Sequence, residues 1–203
     1  ALLDLGDLAL PTETSDTLLV LRERAAIEAI AGAGGSGPRV VALGCTDARL
    51  GLARLGKITN EVGASLTWLC TNVKGSAVLS PSIVVDDLVI LAAIDPDLLG
   101  GTAPDGCSLE RPRRAVSEEL ARLGERKRPL RVLVLFHGEP AAAARELGEL
   151  QGIAAIVCGH GEVGAPTRKR PSGASLVTIE PRGQTLRGLA LSPPPSTLRA
   201  EAT

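Results

Sequence analysis

The sequence predicts an α/β domain, and three observations carry that prediction. Short apolar runs alternate with segments of helical period, the pattern of βαβ units. About 44% of the 203 residues are apolar, enough to bury one sizeable core and too many for a disordered chain. The run Leu130 to Phe136 is apolar apart from Arg131, as a strand covered on both faces requires.

Taken in order, Leu2 to Leu5 reads as a strand that ends at Gly6-Asp7. A helix is predicted from about Ser15 to Ala31, where Ser15 or Asp16 can accept from its free N–H groups and Gly32 ends it. Gly32 to Pro38 is a glycine-rich loop, and Arg39 to Leu43 is the next strand, closed by Gly44. Leu50 to Val62 is predicted as a short helix and Leu66 to Val73 as a strand. Val78 to Val85 and Leu88 to Ile94 read as two strands joined by a turn at Asp86-Asp87. Asp95 to Pro112, rich in Gly, Pro and Asp, reads as a long loop. Arg113 to Leu123 is helical, with Val116, Leu120 and Leu123 on one face. After the strand Leu130 to Phe136, Pro140 opens a helix where its missing N–H costs nothing, and Gly152 closes it. Ile153 to Cys158 is another buried strand, ending at Gly159-His160. Ser175 to Ile179 and Thr185 to Leu191 flank the turn Pro181-Arg182-Gly183 and read as an antiparallel hairpin. The domain is expected to span residues 1–192, with 193–203 a proline-rich tail.

Composition excludes several functions. The net charge of −1 gives no field for a nucleic-acid polymer or an anionic membrane. Trp68 and Phe136 are the only aromatic residues, so no base-stacking platform can form. No run reaches the roughly 18 apolar residues of a transmembrane helix. The chain opens at Ala1 in an apolar run, which reads as a processed or truncated start. None of the four cysteines lies in a CxxC pair, and Cys70 and Cys158, inside apolar runs, read as core residues.

Chemistry concentrates at strand ends. Four predicted strands close in Gly6-Asp7, Gly44-Cys45-Thr46-Asp47, Phe136-His137-Gly138 and Gly159-His160-Gly161-Glu162. Ligands of open α/β sheets bind beyond the carboxyl ends of strands, so these side chains are expected on one edge of one sheet. Asp7, Cys45, His137, His160 and Glu162 are of the types that bind first-row divalent metals. Each has a bland role as well: Asp7 can cap a turn, Cys45 can fill a core, and a lone histidine after a strand is commonly a hydrogen-bonded structural residue. The chain has two histidines, and both follow a buried strand and precede glycine, which favours a functional or vestigial site. Asp86, Asp87, Asp95 and Asp105 read as turn and loop residues.

The order of these motifs resembles the calcineurin-like metallophosphoesterases, most closely their 5′-nucleotidase branch. In that family "GD" closes one strand, "GNHE" or "GNHD" the next, an "sH" follows a long apolar strand and "GHxH" ends the last. Here the positions read "LLDLGDL", "VALGCTDARLGL", "VLVLFHGEP" and "IVCGHGE". "LTWLCTNV" is similar to the family strand that ends in "aNv", "GIAAIVCGH" to "GiDviigGH", and "SLVTIEPRGQTLRGLAL" to the closing hairpin. The resemblance runs from Leu2 to Leu191.

The resemblance implies a layered αββα sandwich of mixed sheets flanked by helices, incomplete at its N-terminus. It implies that Asp7 bridges two metals and that His137 and His160 each ligate one. The cofactor implied is a divalent metal (manganese, zinc or iron) where the site is intact, and no metal otherwise. The departures fall on the same residues. A "DxH" strand ahead of "GD" has no counterpart, Cys45 stands for a metal-binding Asn, and Thr46 stands for the catalytic His. Asp47 keeps the acid that orients that His, now with nothing to orient, and Glu162 stands for the last His of "GHxH". Threonine cannot do the proton work of histidine near neutral pH, a loss of about 10²–10⁴ in rate.

The leading expectation is therefore a divergent metallophosphoesterase-type domain with an eroded or incomplete centre and a structural or binding role. The alternative is an active phosphoesterase hydrolysing phosphate esters such as nucleotides, with Cys45 and Glu162 as substitute ligands. A third reading is an interaction domain whose exposed N-terminal sheet edge pairs with a partner or with a missing N-terminal segment. A nucleophilic Cys45 is disfavoured: "CTDARLG" brings Arg49 too early for a phosphate loop and sets Asp47 where it repels phosphate. A periplasmic or extracellular location is expected from the resemblance alone.

Overall fold

The computed structural model describes residues 2–8, 16–33, 37–63, 65–104, 106–124, 130–160, 167–179 and 191. Its elements are β1 (Leu2–Asp4), α1 (Asp16–Gly32), β2 (Arg39–Ala42), α2 (Cys45–Leu50), α3 (Leu52–Val62), β3 (Leu66–Leu69), β4 (Val73–Lys74), β5 (Leu79–Ser80) and β6 (Ser82–Val85). They continue with β7 (Leu88–Ile94), a 3-10 turn (Pro96–Leu99), β8 (Ser108–Leu109), α4 (Pro112–Gly124), β9 (Arg131–His137), α5 (Pro140–Leu147), β10 (Ile153–Cys158), β11 (Arg168–Lys169) and β12 (Ser175–Thr178).

Two main sheets form. One is four-stranded and parallel, in the order β1-β2-β3-β5. The other is six-stranded and mixed, in the order β11-β12-β10-β9-β7-β6, with antiparallel pairs at both edges. The period of two along each strand sorts side chains between layers. Val40 and Ala42 meet Ile90, Ala92, Leu133 and Leu135 between the sheets. Their neighbours Val41 and Leu43 turn outward to Ile27 of α1 and to Leu55 and Ile58 of α3. Val132, Val134 and Phe136 turn the other way, to Val116 of α4 and to Ala142, Ala143 and Leu147 of α5. The result is the layered αββα sandwich expected.

Several boundaries differ from the sequence reading, each for a local reason. The stretch Val78 to Val85 is two strands, because Pro81 lacks the N–H a ladder needs. β5 stays with the four-stranded sheet and β6 crosses to the six-stranded one. The helix predicted over Leu50 to Val62 is α3, which starts at Leu52, and a separate helix, α2, precedes it; Gly51, whose φ of +100° no helix accommodates, divides the two. The strand predicted to Val73 stops at Leu69, and Asn72 explains why. Its fully buried amide donates to the carbonyls of Ile94 and Glu110, and its Oδ1 accepts from the N–H of Ile94. That pins the exits of β3 and β7 together. Within the loop 95–112, Asp95 caps the 3-10 turn, and β8 pairs with β4. The described antiparallel partner of β12 is β11. The second hairpin strand, Thr185 to Leu191, lies outside the described residues apart from Leu191, and so do Glu162 and the tail 193–203.

Candidate metal centre

Asp7, Cys45, His137 and His160 gather at one rim of the sandwich, but from two sheets rather than one, and Glu162 lies outside the described residues. Asp7 and Cys45 follow β1 and β2 of the four-stranded sheet, and His137 and His160 come from β9 and the exit of β10 in the six-stranded sheet.

Glycine makes the four-stranded rim. Gly6 holds φ at +87°, and a Cβ there would lie 2.5 Å from the Ala42 carbonyl oxygen. Gly44 has an ordinary φ of −92° and is needed for proximity: a Cβ would fall 2.1 Å from the Asp7 nitrogen and 2.4 Å from its Oδ1. Between them Asp7 takes φ +61°, a left-handed conformation that Asp tolerates better than most residues.

Asp47 holds this arrangement. It is fully buried, and its Oδ2 accepts from the backbone N–H of Asp7 at 2.7 Å and of Gly44 at 3.0 Å. The expectation that Asp47 has nothing to orient is thus corrected: it orients the loop that carries Asp7. Thr46 also acts on Asp7. Its backbone N–H and its hydroxyl donate to Asp7 Oδ1 at 2.7 and 2.8 Å. That leaves Oδ2 facing the other donors.

His137, the last residue of β9, is buried, and its Nδ1 lies 2.7 Å from the Leu5 carbonyl oxygen. A carbonyl only accepts, so Nδ1 carries the hydrogen and Nε2 turns to the rim. No side-chain pattern marks the Leu5 carbonyl, so sequence reasoning missed it. His137 Nε2 lies 3.3 Å from Asp7 Oδ2, 3.0 Å from His160 Nε2 and 3.2 Å from the Cys45 backbone nitrogen. His160 Nε2 is 3.8 Å from Asp7 Oδ2, and Cys45 Sγ is 3.5 Å from it. The ligand-type atoms of Asp7, Cys45 and His137 all lie within 4.8 Å of one another. His160 is the more exposed of the two histidines, with 36% of its side chain accessible.

The electrostatics follow. Burial pushes the His137 imidazole down, but the Asp7 carboxylate beside it prevails and raises it to about 10. Burial would raise Asp7, yet His137 and the Thr46 donors hold it well below the usual carboxylate range. Burial and the charge on His137 lower His160. Asp4, raised mainly by burial, accepts from Gly6 N–H and stands behind the cluster.

No protein-family model matches the chain, and no curated protein matches it by sequence. Solved structures do. The sulfate thiohydrolase SoxB of Thermus thermophilus superposes with a TM-score of 0.65 at 18% identity, over 88% of this chain and 33% of that one. The 5′-nucleotidase precursor of Thermus thermophilus gives 0.60 at 19%, over 88% and 38%. The NAD nucleotidase NadN of Haemophilus influenzae gives 0.61 at 16%, over 88% and 35%. The chain spans about a third of the length of these proteins. With its two sheets and its helical outer layers, the chain has the fold of these structures, a metallophosphoesterase-type sandwich.

Proposed function

We propose that the chain is a divergent metallophosphoesterase-type domain that binds a divalent metal at its strand-end cluster, hydrolyses phosphate esters weakly or not at all, and serves a structural or binding role. The observation that carries this reading is the engagement of Thr46. Where the resembled family has a histidine free to serve the leaving group, the Thr46 hydroxyl donates to Asp7 Oδ1. It cannot shuttle a proton near neutral pH. A bound metal would supply a Lewis acid for a phosphoryl oxygen and acidify a bound water. Asp7, Cys45, His137 and His160 would hold it, Leu5 and Asp47 would keep His137 and Asp7 in place, and no described side chain of the cluster stands ready as general acid.

The test is metal analysis of the purified chain, together with turnover of p-nitrophenyl phosphate and nucleoside 5′-monophosphates in manganese, zinc and iron. Metal uptake without appreciable hydrolysis is expected. A kcat in the ordinary enzymatic range of about 1–10³ s⁻¹ would sink the reading.

The convergence of four donor side chains favours a second reading, an active phosphoesterase with Cys45 and Glu162 as substitute ligands. A "DxH" segment upstream of Ala1 would support it. The side of β1 that has no strand against it among the described residues would accept that segment or a partner strand. We infer a periplasmic or extracellular location by analogy with the resembled branch. No helix among the described residues is long and apolar enough to cross a membrane.

A further inference from the structure

We propose that the chain has a second binding site, a pocket between α3 and the start of β3, that takes an uncharged, hydroxyl-rich small molecule of about monosaccharide size. The site goes beyond the functional reading and does not depend on the metal centre. β1, β2 and β3 run parallel, so the start of β3 lies towards the end of the sheet opposite the rim.

An interrupted ladder makes the pocket. In a parallel ladder each residue turns its N–H and its C=O to the same side, and the side alternates along the strand. Leu69 O accepts from Leu43 N–H at 2.9 Å on the β2 side, and Cys70 N–H donates to Ser80 O at 3.1 Å on the β5 side. Trp68 and Leu66 therefore turn to the β5 side as well. Trp68 pairs there with Leu79, and the pairing goes no further back. The preceding N–H, that of Val78, donates to Ser76 Oγ at 3.1 Å instead. Leu66 is left with an N–H and a C=O beyond the end of β5, unmet by any described residue. The space at this gap is about 300 Å³, the lower end of the range for small-molecule sites.

The lining selects the ligand. No lining residue is ionisable, so nothing there would pair a charge. The Asn60 amide and the Thr67 and Ser80 hydroxyls line the pocket and bond to no described residue. With Leu66 they offer donors and acceptors side by side, which suits hydroxyl groups, since each hydroxyl both donates and accepts. The apolar part of the lining comes from Leu66, Trp68 and Val78. The walls are fixed in advance, which lowers the cost of binding. Trp68 Nε1 donates to Thr59 Oγ1 at 3.1 Å, and that hydroxyl donates to Leu55 O at 2.8 Å. Gly56 of α3 lets Val78 pack close, because a Cβ there would lie 2.9 Å from Val78 Cγ2.

Trp68 is the only tryptophan of the chain, so its emission reports on this pocket. The full, metal-free chain is titrated with D-glucose, D-galactose, D-ribose and myo-inositol, followed by fluorescence and by saturation-transfer NMR. At least one should give a saturable change with a millimolar dissociation constant. D-Glucuronate and D-glucosamine, the same ring carrying a charge, should bind more weakly than D-glucose. Thr67→Val and Ser80→Ala each remove one hydroxyl and should weaken binding about three- to tenfold. No saturation by any of the four up to about 100 mM would overturn the site. A charged analogue that binds as tightly as D-glucose would overturn the ligand class, and wild-type affinity in both variants would overturn the polar lining. The first two outcomes are read on the wild-type chain, so neither depends on whether a variant folds. Metal uptake and turnover, measured separately, bear on the functional reading.

Discussion

The two halves of the rim reach the same point by different means. On the six-stranded side, His137 ends a seven-residue strand paired along both flanks, by β10 and β7. Its ring needs one further bond, to Leu5 O, to be oriented. On the four-stranded side, β1 has three residues and β2 four, and Asp7 sits beyond the end of β1 in a left-handed turn. There the position is held by close backbone contact at Gly6 and Gly44 and by bonds from Asp47 and Thr46. The departures from the resembled pattern at Cys45 and Thr46 fall on this second half, beside Asp47. Where long paired strands fix the backbone, a ligand can be kept with little support. Where short strands do not, the neighbours must supply the support, and a residue that replaces chemistry, Thr46, is one that gives it.

Two glycine substitutions put that difference under the greatest strain. In Gly44→Ala the new Cβ would lie 2.1 Å from a backbone nitrogen, and yielding would break the Asp7–Asp47 contact. A cost of about 3 kcal/mol, the upper range for overpacking, is expected in denaturant unfolding. Gly159→Ala, at the matching place on the six-stranded side, would meet Leu5 side-chain carbons at 3.6 Å, an ordinary contact. It should cost less than about 0.5 kcal/mol. Equal costs at the two positions would erase the distinction between the halves.

Removing Asp47 should come next. Asp47→Ala strands the N–H groups of Asp7 and Gly44, a loss of about 2–3 kcal/mol by urea melts. Asp47→Asn, which keeps an accepting oxygen, should recover part of it. Thr46→Val removes one bond to a charged acceptor, about 1.5 kcal/mol, and should weaken metal binding about tenfold by freeing Asp7 to turn. If Asp47→Ala leaves stability and metal affinity intact, the acid is a bystander.

The same contrast decides what could be read from the sequence. Apolar runs of strand length named β7, β9 and β10 and put His137 and His160 at their exits, because long buried strands have one dominant signal. The division into two sheets was less legible. It turns on Pro81, which sends adjacent residues to different sheets, and on Asn72, whose three backbone bonds redirect the chain after β3. Long-range pairing of this kind leaves no local period. Asp7 is legible through its glycine, whereas the role of Asp47 is not. Its partners are backbone N–H groups, one of them forty residues away, and a backbone donor looks the same in every sequence.

The smallest predicted effect lies away from the rim, where the six-stranded sheet ends. Glu119 of α4 is buried and accepts from Ser82 Oγ of β6 and from the Arg122 guanidinium, fastening the helix to the edge strand. Burial pushes its carboxyl up, but Arg122 and Ser82 prevail and hold it below the usual range. A carboxyl lowered in the folded state contributes stability above its unfolded pKa of about 4.3 and loses it as pH falls through the folded value. Wild type should therefore exceed Glu119→Gln by about 1 kcal/mol at pH 7, and the gap should narrow below about pH 4. A gap that stays constant into acid would mean that the Ser82 bond alone fastens α4, with the charge on Glu119 contributing nothing.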